Sequence, residues 1–252
     1  MRSFLIWFLA SFFALVCPQA ASADSAEETL TLATAAPDPA MTAFGRFDAC
    51  LFLEELHRLY TEPWEIGGTE AAVWLTSVAI LVHYDQTTYD YFHEHLSSPE
   101  IYRASESLSA LGDGVTELAI TGLIWLDDPE TGRKCLEALA FTGLNVALLK
   151  SLLGMARPYL GQGPVFTGPT LDADYAAMPS GHTAAAFAMA TVLSAKYPRY
   201  KWAFYTLATL IGLSRIYLES HWPSNILAGA LTGIYCGQRV LGREVTILNW
   251  RF

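Results

Sequence analysis

Charge is scarce in this chain, and positive charge scarcer still. Only 16% of the 252 residues are charged, and 15 Lys and Arg against 25 Asp and Glu leave a net charge of −10. That balance excludes broad electrostatic attraction to nucleic acid or to an anionic surface. Any basic cluster in such a chain therefore needs a specific reason. Cysteine is rare too, four in all with no C-x-x-C pair, so the cysteines are read as doing no chemistry. Strand-like alternation is nearly absent, and no repeat is seen. Long apolar runs are missing as well. Beyond the first 23 residues the apolar stretches (71–82, 118–126, 138–149, 183–195, 202–213 and 226–237) stop at about 9 to 13 residues. A clean bilayer span needs roughly 18–20.

What is present begins with a leader. Arg2, the apolar run Phe4 to Val16 and the small residues Ala21-Ser22-Ala23 predict a secretory signal over 1–23 and an exported chain starting near Asp24. Cys17 follows Val16, which is not small, so it is not read as a lipid-attachment site. The remaining Cys50, Cys135 and Cys236 sit among apolar residues and are expected to be buried thiols. Residues 24–41, rich in Ala, Thr, Pro and acids, read as a flexible linker. From 42 to 252 the apolar stretches alternate with turn signals such as "SSPE", "DDPETG" and "KYPRYK". The expected fold is all-α, a bundle of about six core helices.

Basic residues bear on where that bundle sits. Arg133 and Lys134, then Lys196, Arg199 and Lys201, then Arg239 and Arg243 fall in alternate connections, as a positive-inside rule would arrange them. A cleaved leader, however, allows five crossings from residue 114 onward only if 71–82 does not cross. An exported helical domain whose apolar faces meet each other accommodates the short runs without that exception. This is the expectation; an integral inner-membrane protein with its site facing outward is the alternative.

Three stretches put polar groups at the edges of apolar helices. In "KSLLGMARP", Lys150 and Arg157 are seven apart, so both can project from one helical face before Pro158 stops the helix. In "PSGH", Ser180 occupies an N-cap position, with Gly181 and His182 opening the helix. Free N–H groups there suit an anion, and simple capping is the plainer alternative. In "SRIYLESHWPSN", Arg215 ends one helix and Pro223 starts the next. Asn225 lies four residues beyond His221 and is expected to reach back to its imidazole. Two arginines, a lysine, two histidines and a helix N-terminus together suit a tetrahedral oxyanion.

With these residues in order, the chain resembles the superfamily of type-2 phosphatidic acid phosphatases and vanadium haloperoxidases, whose pattern is K-x6-R-P, P-S-G-H and S-R-x5-H-x3-D. The match spans residues 150 to 225. The resemblance implies a helical domain with its site at one end and an acid or lipid phosphate phosphatase activity on a phosphorylated lipid or small phosphoester. Contact with a membrane surface is implied, and no nucleic acid. Lys150, Arg157 and Arg215, with Ser180 and the Gly181 backbone, would hold the phosphoryl oxygens. His221 would become a phosphohistidine, and His182 would protonate the leaving alcohol and then activate water. No metal is implied; vanadate could mimic phosphate, or serve as cofactor in the haloperoxidase alternative. Asn225 departs from the family's aspartate, which suggests slower chemistry or a shifted pH optimum. A catalytically weakened phosphate-binding protein is the further alternative.

Other residues read as structural. The segment from His83 to His95 gathers His83, Asp85, Asp90, His93, Glu94 and His95, and is expected to be a solvated amphipathic surface rather than a metal site. Glu117 and Glu137 are expected to cap or pair. For Tyr159, Phe166 and Tyr175, lining the substrate entrance and ordinary loop packing are both open.

Overall fold

The computed structural model describes residues 49–62 and 66–242. The expected signal (1–23) and linker (24–41), and Arg243, lie outside them. Among the described residues eight α-helices follow in order: α1 Ala49–Thr61, α2 Gly68–His95, α3 Pro99–Leu111, α4 Gly114–Asp127, α5 Pro129–Leu153, α6 Gly181–Lys196, α7 Lys201–Tyr217 and α8 Pro223–Val240. There is no strand among the described residues. The chain divides into two compact units at Trp64 and Glu65, so α1 belongs to the first and α2 to α8 to the second.

The helix starts follow ordinary capping chemistry. Ser98, Asp113 and Asp128 accept hydrogen bonds from the backbone N–H groups of Ile101, Val115 and Thr131, at 3.2, 2.9 and 3.1 Å. Pro99, Pro129 and Pro223 occupy first turns, where a missing N–H costs nothing. "SSPE" and "DDPETG" are thus helix starts as well as turns. All six apolar stretches fall in helices.

The most extensive packing is α8 on α6. Gly229, Gly233 and Gly237 repeat every four residues, one face of α8. A Cβ at Gly233 would overlap the Ala184 carbonyl, and one at Gly229 would lie 2.6 Å from the Ser180 carbonyl. The backbones therefore approach as only glycine allows, which holds the start of α8 against the start of α6.

Helix direction sorts the charges. Lys134 donates to the Val240 carbonyl at 2.9 Å, and Lys196 pairs with Asp128 at 2.7 Å. The start of α5 and the ends of α6 and α8 therefore share one end of the bundle, with the basic residues. Lys150, Ser180 and Pro223 lie at the other.

Two expectations need correcting. The apolar faces do not all meet each other. Leu75, Val115, Leu123 and Trp202 are 68–77% exposed, and Ile80, Leu118 and Leu126 are also outward. Helices of such high hydropathy carry more apolar surface than a bundle of this size can turn inward. Helix α5 is the one described helix long and apolar enough to cross a membrane. Among the thiols, Cys135 and Cys236 are buried and free as expected. Cys50 is instead disulfide-bonded and half-buried.

Candidate active site

The first motif ends helix α5. Gly154 closes it in the left-handed conformation, φ 57°, and a side chain there would overlap the Gly168 carbonyl. The chain then turns through Met155 and Ala156 to Arg157. Lys150 and Arg157 meet at one acceptor: the Lys150 ammonium and Arg157 Nη2 both donate to the Ala176 carbonyl. Arg157 Nη1 also donates to the Ser220 carbonyl at 3.2 Å, and Nε to Ala173 at 3.0 Å. Arg157 thus ties the loop before PSGH to the residue before His221.

At the second motif, Ser180 is fully buried and its side chain makes no cap hydrogen bond. Its Oγ accepts from Thr183 at 2.9 Å instead, so the plainer capping alternative does not hold. With no side-chain acceptor on the first turn of α6, its N–H groups remain a place for an anion. Ser180 N–H donates to the Asn225 carbonyl at 3.0 Å, joining the second motif to the third.

The third motif holds His221, 2% exposed. Its Nδ1 lies 2.7 Å from the Ala177 carbonyl, which can only accept, so Nδ1 carries the proton and Nε2 keeps its lone pair. The expected hydrogen bond from Asn225 is not formed. Asn225 Oδ1 accepts from Trp222 N–H at 3.0 Å, and Nδ2 donates toward Met155 Sδ at 3.1 Å and Ser224 Oγ at 3.4 Å. The reason is local: Trp222 precedes Pro223 at the start of α8, and its own N–H needs the acceptor that Asn225 supplies. Asn225 builds the helix start, and Ala177 orients the histidine.

Electrostatics binds these pieces into one site. Burial lowers the His221 imidazole well below its ordinary range, and the charges of Lys150, Arg157 and Arg215 lower it further; the Ala177 bond opposes them. Burial and then Arg215, Lys150 and Arg157 likewise push His182 down to about 4, with Asp113 pulling it upward. The three cations act on both imidazoles. None of them forms an ion pair among the described residues. Like charges gathered without carboxylates in a partly buried place favour an anion strongly.

Several participants lay outside the motifs. Arg215 Nη1 donates to Ser109 Oγ on α3. Gly112, between α3 and α4, packs closely on Ile211, where a Cβ would be 2.4 Å from Cγ2, and touches His182, whose Cβ would be 3.4 Å away. Asp113 and Glu106 line a cleft of about 520 Å³ with Ser109, Thr116 and His182. The capping signal before α4 was legible in "LGDG", but nothing in it pointed across to His182.

The remaining candidates sort plainly. Asp85 is not solvated: it is fully buried, and its carboxylate accepts from Ser224 N–H at 2.8 Å and Ser224 Oγ at 2.5 Å, anchoring α2 to the start of α8. His83, Glu94 and His95 are exposed, and no metal-ligand cluster occurs among the described residues. Glu137 pairs with Arg133 and Lys134. Glu117 neither caps nor pairs through Oε2. Tyr159 donates to Asp174 at 2.7 Å and Tyr175 to Gln162 at 3.3 Å, which is loop packing.

Parts of the chain are similar to known proteins. Residues 132–243 match the model of the PAP2 superfamily. A stretch of 77 residues is 48% identical to a lipid A 1-phosphatase of Porphyromonas gingivalis, covering 29% of this chain and 17% of that protein. Another of 98 residues is 34% identical to a lipid A 1-phosphatase of Rhizobium etli, covering 38% and 42%. The matched stretch thus spans less than half of either relative. The crystal structure of Aquifex aeolicus LpxE superposes with a TM-score of 0.56 at 26% identity, over 63% of this chain and 94% of that one.

Proposed function

We propose, from the premise that residues 132–243 belong to the PAP2 superfamily, that this protein is a metal-independent lipid phosphate phosphatase. The observation that carries the reading is the set of three cations, without an ion-pair partner among the described residues, acting on the buried His221 and the half-buried His182, the former with its tautomer set by Ala177.

The chemistry follows from the donors. Lys150, Arg157, Arg215 and the first-turn N–H groups of α6 surround a phosphoryl group and take up the charge that grows on its oxygens. His221 Nε2 attacks phosphorus while the bond to the leaving oxygen breaks, giving a phosphohistidine and an alcohol. His182, protonated, donates to that oxygen. It then takes a proton from water, which attacks the phosphohistidine and releases phosphate and free His221. Burial first and then the positive field hold His182 down; a bound phosphate offsets the field and so favours the charged acid.

The lipid part of the reading is supported by the names of the relatives and by the exposed apolar side chains on α2, α4 and α7, which suit a membrane. The basic residues at the opposite end suit a cytoplasmic side, leaving the site facing outward, the periplasmic face, with export directed by the leader.

The test is hydrolysis of a lipid A 1-phosphate and of a soluble phosphomonoester by the full chain, with chelator present. The lipid is expected to be the better substrate, with no loss to chelator. His221→Ala is expected to abolish turnover, and brief reaction with labelled substrate to leave acid-labile phosphate on the protein. Undiminished turnover by His221→Ala would remove the nucleophile and with it the mechanism.

A further inference from the structure

On the flank of the bundle, between α4, α6 and α7, lies a second pocket, of about 230 Å³. Its wall is apolar, with Leu111, Ile120, Met189, Leu193, Phe204 and Ile211 contributing. One residue breaks the pattern. Glu117 lines the same pocket, is 2% exposed, and its Oε2 has no hydrogen-bond partner among the described residues. An unmatched buried carboxyl oxygen costs about 1–3 kcal/mol. Leucine would fill the position without that cost, so a hydrogen-bonding partner is missing from the count.

The position of the pocket says where the donor comes from. Leu111 and Ile211 flank Gly112, which rests against His182, so one end of the pocket adjoins the proposed active site. Along α6, Ala186 lies four residues beyond His182 and Leu193 eleven. At 1.5 Å per residue the pocket therefore runs from roughly 6 to 16 Å away from the imidazole. Glu117 is one helical turn beyond Asp113, near the end closer to the site. The outer side is apolar too: Leu207, on the wall, is 43% exposed, and Leu118, Leu123 and Leu210 are exposed on the same helices.

We propose that this pocket receives a hydrocarbon chain of the substrate, and that Glu117 accepts a hydrogen bond from a hydroxyl carried on that chain close to the head group. The inference rests on the lipid-phosphate reading above and narrows it to lipids with hydroxylated chains. Apolar lining supplies affinity for the chain, and the single acceptor supplies discrimination. A pocket built to hydrogen-bond a group rejects the analogue lacking it more sharply than an apolar wall senses one methylene.

The experiment uses two lipid phosphate monoesters identical except for one hydroxyl on the acyl chain, and the full chain in detergent micelles. Equilibrium binding is measured in the His221→Ala background, so that affinity is read without turnover. The hydroxylated lipid is expected to bind about tenfold tighter, the value of one hydrogen bond to a buried carboxyl group. Glu117→Leu should bring the ratio to about one, and Glu117→Gln, which keeps an acceptor, should retain part of it. Equal affinities for the two lipids, or a ratio unchanged by Glu117→Leu, would overturn the assignment. Turnover of both lipids by protein with His221 intact separates the two readings. If neither is hydrolysed while the Glu117-dependent ratio persists, the pocket stands and the hydrolase does not.

Discussion

Replacing Asn225 with aspartate restores the residue the family pattern carries, and on sequence grounds it should help. The structure predicts the reverse. Asn225 is fully buried. Its Oδ1 would be kept by a carboxylate, but its Nδ2 donates toward Met155 Sδ and Ser224 Oγ, and a carboxylate has no proton for either. Ser224 already gives its hydroxyl proton to Asp85, so the new charge would stand beside a second buried carboxylate that shares the same serine. Leaving a charge buried and unpaired costs about 3–5 kcal/mol.

The variant can escape that cost by staying protonated, and this makes the prediction pH-dependent. Holding a carboxyl neutral above its ordinary pKa near 3.9 costs about 1.4 kcal/mol per pH unit, so about 4 kcal/mol at pH 7 and about 1.5 at pH 5. The sign follows from proton uptake. Between pH 3.9 and the raised folded value the folded variant holds a proton that the unfolded chain does not, so acid favours the folded form. Asn225→Asp should therefore be destabilised relative to the parent by about 3–4 kcal/mol at pH 7 and by less than half of that at pH 5, as read by denaturant unfolding at both pH values. Removing the neighbouring charge in Asp85→Asn/Asn225→Asp should recover part of the loss. Turnover should not rise, because Ala177 and not residue 225 orients His221. A stable Asn225→Asp protein with faster turnover at neutral pH would refute this account of the position.

Other expectations follow from the same geometry. Asp113→Asn keeps a good N-cap while removing the charge that raises His182; kcat/KM should fall about tenfold more for an alkyl phosphate than for p-nitrophenyl phosphate, whose leaving group needs little protonation, and the basic limb of the pH profile should move to lower pH. An equal loss on both substrates would place Asp113 outside proton transfer. His182 titrates near 4 in the folded protein and near 6.5 when unfolded. The unfolded chain thus binds more protons in that window, stability is lost as pH is lowered through it, and stabilisation by inorganic phosphate should grow toward pH 5 in thermal melts; a constant increment would count against the cationic pocket. Gly233→Ala, forced against the Ala184 backbone, should lower unfolding stability by about 1–3 kcal/mol or more, whereas Gly143→Ala, with nothing within 4 Å, should raise it by up to about 1 kcal/mol. Equal effects of the two would remove the close packing of α8 on α6.

How much of this was legible in the sequence depended on distance along the chain. The helices were legible because apolar spacing and turn signals act within a few residues. The three motifs were legible because each short segment carries several polar residues, and the fold brings those segments together. Their roles were less so. His221 and Asn225, four apart, were read as partners because spacing alone permits it, yet Trp222 N–H took the amide oxygen and a carbonyl 44 residues away took the imidazole. A backbone carbonyl leaves no mark in a sequence, since every residue has one. Ser109 reaches Arg215 over 106 positions, and Asp85 reaches Ser224 over 139.

The same limit decided the reading of α2 and of Glu117. Asp85 sat in a run of His, Asp and Glu that looked solvated, because composition averages over a helix while burial is set residue by residue by what packs on it. Glu117, one acid in an apolar run, was expected to find a partner because a buried carboxyl without one is costly. It has none for Oε2 among the described residues. If evolution retains that cost, the matching donor must arrive with something that binds, and a substrate chain entering beside His182 is placed to bring it. Glu117→Leu is therefore the substitution that tells folding from function. With no hydroxyl to satisfy, it should stabilise the protein to denaturant while erasing its preference between the two lipids. A destabilised Glu117→Leu protein would mean the carboxyl serves the fold instead.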